Sequence, residues 1–326
     1  MKKSISVLFT IFMLFLSLLA SGCTGDASES ADKIKVGTWK TAQTIQPFLY
    51  QDYIDDRYSV EVLPFTNPGD QKAALLAGSL DMTGTTIALA ITAASKGEPV
   101  VVVCGLADKC SAIVVREDSD IMAPADLKGK TIAYVPGTMH HVLLLETLEQ
   151  AGLDPETDVT LQRIDFFDMG QALSQGKVDA FCSGEPYPSL AMANGYGRVL
   201  IYPYYGDSVG TINAGMLTTR DNIEHDREKI QALVTAHARA TEYLNSDQDE
   251  WLAMSAEFGT NPQVLKIAQD NMELSWYMDE NYVRQAGELA LRMKDLGMIS
   301  EIPDMESLFD LSFVEQARMD MESENL

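Results

Sequence analysis

Beyond residue 33, apolar runs of strand length alternate with segments whose apolar residues recur at helical spacing. Ile34 to Gly37 and Tyr58 to Phe65 read as strands, and Pro47 to Asp52 as a helix. Asp70 to Ala77 is helical and stops at Gly78, and Thr85 to Lys96 is helical, ends at Gly97 and leads into the strand Pro99 to Val103. The rhythm restarts near residue 125. Strands are predicted at Thr131 to Val135, Val159 to Ile164 and Ala180 to Cys182, with helices at Met139 to Ala151, Asp168 to Gln175 and Pro186 to Asn194. Strands separated by helices imply an α/β protein with mostly parallel sheets covered on both faces. From residue 221 onward the pattern is helical, near 221–246, 249–258, 262–271, 280–296 and 305–322.

One stretch occurs twice. Ala74-Leu75-Leu76-Ala77-Gly78-Ser79-Leu80-Asp81 matches Ala172-Leu173-Ser174-Gln175-Gly176-Lys177-Val178-Asp179 at Ala, Leu, Gly and Asp, at a constant offset of 98 residues. Each copy packs a helix through Ala-Leu, stops it with Gly and enters a strand after Asp. Two similar α/β units facing each other make a cleft, and open α/β sheets bind ligands at the carboxyl ends of their strands.

The first 22 residues stand outside this pattern. Lys2 and Lys3 precede Val7 to Ala20, an apolar run broken only by Thr10 and Ser17. That run is shorter than the about 20 residues a spanning helix needs, and the layout is that of an export signal. Leu19-Ala20-Ser21-Gly22-Cys23 resembles a bacterial lipobox, with Cys23 as the lipidated first residue of the mature chain; Ala20 stands where that pattern favours Leu. Residues 23–33 contain little to bury and read as a tether.

Charge narrows the function. With 48 Asp and Glu against 24 Lys and Arg, the net charge is −24. A nucleic-acid binder needs a basic surface, and docking on anionic lipid through a charged face is equally disfavoured. The 326 residues exceed what one core usually holds, so two lobes are expected. Cys104, Cys110 and Cys182 remain besides Cys23. Cys104 ends one strand-like run and Cys110 opens the next, so a hairpin placing their sulfurs opposite each other is expected to permit a Cys104–Cys110 disulfide. No CxxC or HxxxH pattern points to a metal.

Gly78-Ser79-Leu80-Asp81, Asp126-Leu127-Lys128-Gly129-Lys130-Thr131-Ile132-Ala133, Gly137-Thr138, Gly176-Lys177-Val178-Asp179-Ala180 and Gly184-Glu185-Pro186 occur in order over residues 34–220. In this ordered set the chain resembles substrate-binding proteins of ABC importers of the nitrate/taurine/sulfonate class, which are related to thiamine-precursor binding proteins. The resemblance implies a type II periplasmic-binding-protein fold: two Rossmann-like lobes, a two-crossing hinge near residues 110–116 and 208–216, and extra C-terminal helices. Lobe 1 is then 34–112 plus 213–326, and lobe 2 is 113–212. It also implies a small-molecule ligand, permease and ATPase partners, a membrane anchor through Cys23, no nucleic acid, no cofactor and no catalytic residue.

Four strand-to-helix junctions are expected to converge on the cleft, where unpaired helix-start N–H groups favour anions. At the first, Trp39 offers a stacking face, and Lys40 and Thr41 polar contacts. At the second, Thr85 and Thr86 offer hydroxyls after Gly84. At the third, Gly137 and Thr138 open a helix carrying His140 and His141; the resemblance carries a ligand-contacting histidine to one of these two. At the fourth, Glu185 can accept from an amine or from the opposite lobe, and Tyr187 is the aromatic that such relatives show after the proline. Asn213 joins them from the second crossing. A small oxyanion or organosulfonate, taurine-like, leads as ligand. A thiamine-precursor pyrimidine or other aromatic heterocycle is the alternative. Other classes are an enzyme on the same fold, or a metal or redox sensor built on Cys104, Cys110, Met139 and His140.

Overall fold

The computed structural model describes residues 31–204 and 209–324; the expected export signal, Cys23 and most of the expected tether lie outside the described residues. Eleven strands form two sheets among the described residues, one of six strands ordered β11-β4-β10-β3-β1-β2 and one of five ordered β7-β6-β8-β5-β9. The first contains β1 (Asp32–Thr38), β2 (Tyr58–Pro64), β3 (Met82–Thr86), β4 (Val100–Lys109), β10 (Ile212–Thr219) and β11 (Met272–Leu274). The second contains β5 (Ser111–Arg116), β6 (Thr131–Tyr134), β7 (Thr160–Arg163), β8 (Ala180–Gly184) and β9 (Gly197–Ile201).

The two sheets repeat one plan. In each, three parallel strands (β2-β1-β3 and β7-β6-β8) are followed by an antiparallel strand, β10 or β5, that pairs on its other side with a further antiparallel neighbour. That antiparallel strand arrives from the other sheet. The chain leaves the first sheet after Lys109 and enters the second at Ser111; it leaves the second after Ile201 and re-enters the first at Ile212. β9, β10 and β11 carry no clear alternation in the sequence and were not expected.

The internal repeat has a physical reason. The carboxylate of Asp81 accepts from the Lys35 backbone N–H at 2.8 Å, and that of Asp179 accepts from the Thr131 N–H at 2.8 Å. Each Asp also donates its own N–H to the carbonyl of that same residue, at 2.8 Å. The aspartate thereby aligns the strand it opens with its parallel neighbour, in the registers Val36 with Met82 and Ile132 with Ala180. The glycines that stop the preceding helices, Gly78 and Gly176, have φ of +70° and +66°, a left-handed turn that side chains resist.

Helices α1 (Pro68–Leu76), α2 (Ile87–Ser95), α3 (Met139–Gln150), α4 (Phe166–Ser174) and α5 (Tyr187–Ala193) connect the strands. The C-terminal part is helical as expected and packs on the first sheet: α6 (Arg220–His225), α7 (Arg227–Ser246), α8 (Gln248–Ala256), α9 (Pro262–Ala268), α10 (Glu280–Asp295), α11 (Met305–Leu308) and α12 (Ser312–Glu324). The helix expected over 221–246 is broken at Asp226, whose carboxylate caps α7 by accepting from Lys229 N–H. Thr85, expected to open a helix, lies inside β3, and the α2 cap is Thr86.

The expected Cys104–Cys110 disulfide does not form; both thiols are free and buried. No hairpin joins them, because Cys104 lies inside β4 and Cys110 just beyond its end, on the way to the other sheet. The extended run of β4 from Cys104 to its end, at about 3.3 Å per residue, carries the two Cα atoms well beyond the ~7 Å a disulfide spans.

Asp179→Ala is expected to cost about 2 kcal/mol, the worth of a hydrogen bond to a charged acceptor. Asp81→Ala costs more, because Asp81 also pairs with Lys229 at 2.7 Å. Urea midpoints read both; a wild-type midpoint for either variant contradicts the alignment role.

Candidate functional site

A cavity of about 450 Å³ lies between the two sheets, at the carboxyl ends of β1, β2, β3 and β8. The first sheet's side supplies Trp39, Lys40, Thr41, Gln43 and Thr44 after β1, Phe65 and Thr66 after β2, and Thr86 at the end of β3. The second side supplies His140 from α3, Phe166 and Phe167 from α4, and Gly184, Glu185 and Tyr187 around the end of β8. Cys110 and Asn213 come from the two crossings, and Phe258 from beyond α8.

The loop after β1 is internally locked. Thr38 Oγ1 donates to Thr44 O at 2.9 Å, Thr44 Oγ1 donates to Trp39 O at 2.9 Å, and the Thr41 and Thr44 hydroxyls are 2.8 Å apart. Trp39 lies over Gly84 of β3, where an added Cβ would reach 3.4 Å from the indole but press to 2.9 Å on the Leu106 side chain. Lys40 is exposed, with Nζ 5.9 Å from the centre of the Phe258 ring, and is the one Lys or Arg among the described residues lining the cavity.

Gln43 and Glu185 reach across from the two sides. Gln43 Nε2 donates to the Glu185 carbonyl at 2.6 Å, whereas its Oε1 is buried without a partner. The Glu185 carboxylate accepts from Asn271 Nδ2 at 3.2 Å and from Ser189 N–H at 3.2 Å. Burial raises its pKa, and these neutral donors offset only part of that.

His140 is buried, edge-on to Phe166, with Nδ1 2.8 Å from Ser111 Oγ. Loss of hydration pushes its pKa down to about 4, so the ring is neutral at pH 7. A Cβ on Gly184 would sit 2.9 Å from that ring and 2.7 Å from Cys110 Sγ, so glycine is what lets the three elements close together. Burial pushes the Cys110 thiol up to about 12, which keeps it protonated.

Among the residues singled out by sequence, Trp39, Thr41, Thr86, His140, Glu185, Tyr187 and Asn213 line the cavity, whereas Thr85, Gly137, Thr138 and His141 do not. Thr138 is spent on its own helix: its hydroxyl donates to Val135 O and accepts from His141 N–H. His141 packs on the Tyr134 ring at 4.6 Å, and its Nδ1 accepts from Gly137 N–H. Gln43, Phe65, Phe166 and Phe167 were missed, although they lie in the segments that follow β1, β2 and β7 and the same junction logic reaches them. Phe258 had no signal, because it comes from the remote helical region. Among the described residues no group of His, Cys, Asp and Glu is arranged to hold a metal.

Histidine burial has a pH consequence. His140, His141 and His237 each have a folded pKa of about 4 against about 6.5 unfolded, so unfolding takes up protons between those values. Asp108, raised by burial and Glu273 to about 7, releases one over the same range, and Glu185 acts in its direction. Three uptakes outweigh these releases, so stability is expected to fall as pH drops from about 6.5 to about 4. Asp108→Asn should steepen the fall; urea titrations at stepped pH measure both.

The chain is 29% identical over 237 residues to an aliphatic sulfonates-binding protein of Escherichia coli, covering 71% of this chain and 73% of that one. It is 25% identical over 294 residues to a formylaminopyrimidine-binding protein of Halalkalibacterium halodurans, covering 84% and 87%. Its fold is that of the alkanesulfonate-binding protein from Xanthomonas axonopodis solved with MOPS, with a TM-score of 0.76 at 21% identity over 87% of this chain and 99% of the other. The family model described as NMT1/THI5 like matches residues 55–251, more than half of the sequence, and the chain therefore belongs to the NMT1/THI5-like family.

Proposed function

We propose that this cleft captures an organosulfonate or a similar organic oxyanion for delivery to an ABC importer. The carrying observation is a cavity between two sheets, with aromatic walls and, among the described lining residues, one Lys or Arg, Lys40, beside Phe258. The anionic head meets Lys40, and the body packs against Trp39, Phe65 and Tyr187. The sulfonate-binding relatives support this choice. Closure is a hinge motion at the two crossings, with the lobe boundaries expected at 112/113 and 212/213 moved to just before Ser111 and just before Ile212, where β5 and β10 enter their sheets. The closed complex is what the permease receives while its partner ATPase supplies the energy.

The reading is one of binding without catalysis. Ser111 Oγ is near His140, yet Ser111 is fully buried and off the cavity wall, and the Cys110 thiol is held protonated. Neither presents a nucleophile to a bound solute.

A planar, amine-bearing heterocycle such as a thiamine-precursor pyrimidine is the second reading. The aromatic lining favours it, as does the formylaminopyrimidine-binding relative. Calorimetry with alkanesulfonates and with an aminopyrimidine separates the two. Lys40→Gln should weaken sulfonate binding about tenfold, as loss of one charge-assisted contact does, and leave pyrimidine binding unchanged. Trp39→Ala should weaken either ligand. Absence of any sulfonate heat, with a clear pyrimidine signal, refutes the first reading.

In the same reading the protein works outside the cytoplasmic membrane, anchored by lipid on Cys23. The apolar leader and the Ala20-Ser21-Gly22-Cys23 sequence support this. Cys23→Ser is expected to release the protein from membranes to the soluble fraction; retention in the membrane pellet would refute the anchor.

A further inference from the structure

A second gap lies between the lobes. Helix α3 belongs to the second sheet by connectivity, and its Leu144 and Leu148 pack in that sheet's core. Met139, Val142 and Leu143 instead join the core of the first lobe, where α3 rests on α2. A cavity of about 380 Å³ separates α3 from α10 of the first lobe, walled by these three residues, Leu289 and Val209. Arg292 of α10 bridges it. Its guanidinium pairs with both Glu146 and Glu149, which α3 places three residues apart on one face. The Arg292 and Glu146 side chains are 23% and 17% exposed, so this pair is better shielded from water than an ordinary surface pair.

This gap and the cleft lie on opposite sides of the crossings. Met139 lines the gap, whereas its neighbour His140 lines the cleft. Around the second crossing, Val209 lines the gap and Gly210 lies against Gln285 of α10 with no room for a side chain, whereas Asn213 lines the cleft. The mouth of the cleft stands open. Phe167 and Lys40 line it from the two sides, yet Phe167 is 58% exposed and Lys40 is exposed as well. A rotation about the crossings that brings these walls together carries α3 away from α10 and stretches the contacts of Arg292.

We propose that Arg292 sets ligand affinity from outside the ligand site: its clasp on Glu146 and Glu149 favours the open cleft, and closure on a solute works against it. This rests on the hinge closure of the capture reading above. Charge gives the direction. Glu288 and Asp295 of α10 also line the gap, so loss of Arg292 leaves the Glu146 and Glu149 carboxylates opposite two more. Their repulsion widens the gap and narrows the cleft. Apparent affinity scales with the fraction of molecules in the binding-competent arrangement, so a weaker clasp gives tighter binding.

Two measurements on the wild type and on Arg292→Gln test this: small-angle scattering without ligand, and calorimetry with butanesulfonate and with 4-aminopyrimidine. Arg292→Gln should have the smaller radius of gyration, and should bind whichever probe the wild type binds about three- to fivefold more tightly. Loss of a merely structural contact would instead expand the protein or weaken binding. Glu146→Gln should shift both readings in the same direction, and carries the test should Arg292→Gln fail to fold. Arg292→Lys keeps the charge and should stay near the wild type. A ligand-free radius that does not fall, or a bound probe whose affinity does not rise, overturns the clasp. Should neither probe bind, the capture reading fails, and the ligand-free radius alone decides: contraction supports the clasp and its absence overturns it.

Discussion

Each sheet is completed by a strand that the other sheet delivers, and the cleft depends on that exchange. β4 continues into β5, and β9 leads into β10, so the strands of the two sheets are linked along the chain at two passages. The first passage turns sharply: Lys109 and Cys110 have φ of +59° and +79°, the left-handed region that non-glycine residues enter at a cost. The surroundings hold them there. Lys109 N–H donates to Thr211 O at 2.8 Å, Cys110 N–H donates to Asn271 O at 2.7 Å, and Asn213 Nδ2 donates to Lys109 O. The hydroxyl of Tyr204 accepts from Ser111 N–H at 2.9 Å and contacts Asn271 Oδ1. The backbone at the crossing is therefore satisfied by residues of the second crossing and of the C-terminal region, which ties three distant stretches of chain to one point.

This point also organises the site. Asn271 serves the crossing through its carbonyl and the cleft through its amide, which donates to Glu185. Glu185 N–H in turn donates to Cys110 O at 2.9 Å. A carboxylate lining the cleft of a strongly acidic protein is a poor start for holding an anion, but scale resolves the conflict. Salt damps the field of the whole chain within about 8–10 Å, whereas contacts to Lys40 and to N–H groups act at about 3 Å. What matters is which end of the solute reaches which wall.

The parts of this structure legible in the sequence are those fixed by local chemistry. The Gly-x-x-Asp repeat was visible because one carboxylate performs one local task twice, holding a new strand to its parallel neighbour. Helix-stopping glycines and the strand-to-helix junctions were visible for the same reason. The exchanged strand β10 was not, since all eight of its residues are buried and its pattern has no period to read. Gly137, Thr138 and His141 misled because a threonine before a helix looks alike whether it caps the helix or meets a ligand, and here it caps. Phe258 and Asn271 enter the site only through tertiary packing of helices that carry no mark of it.

Capture and closure share atoms. Gln43 lies on the first sheet's side and Glu185 on the second, so separating the two sides breaks the bond from Gln43 Nε2 to the Glu185 carbonyl. A single neutral hydrogen bond is worth about 1 kcal/mol net, because water replaces it on opening. That shifts an open–closed balance by less than tenfold, too little to hold the cleft shut alone. A solute that contacts both sides gains those contacts only in the closed arrangement, and its binding energy then biases the balance. The same two residues that tie the walls thus make closure depend on what lies between them.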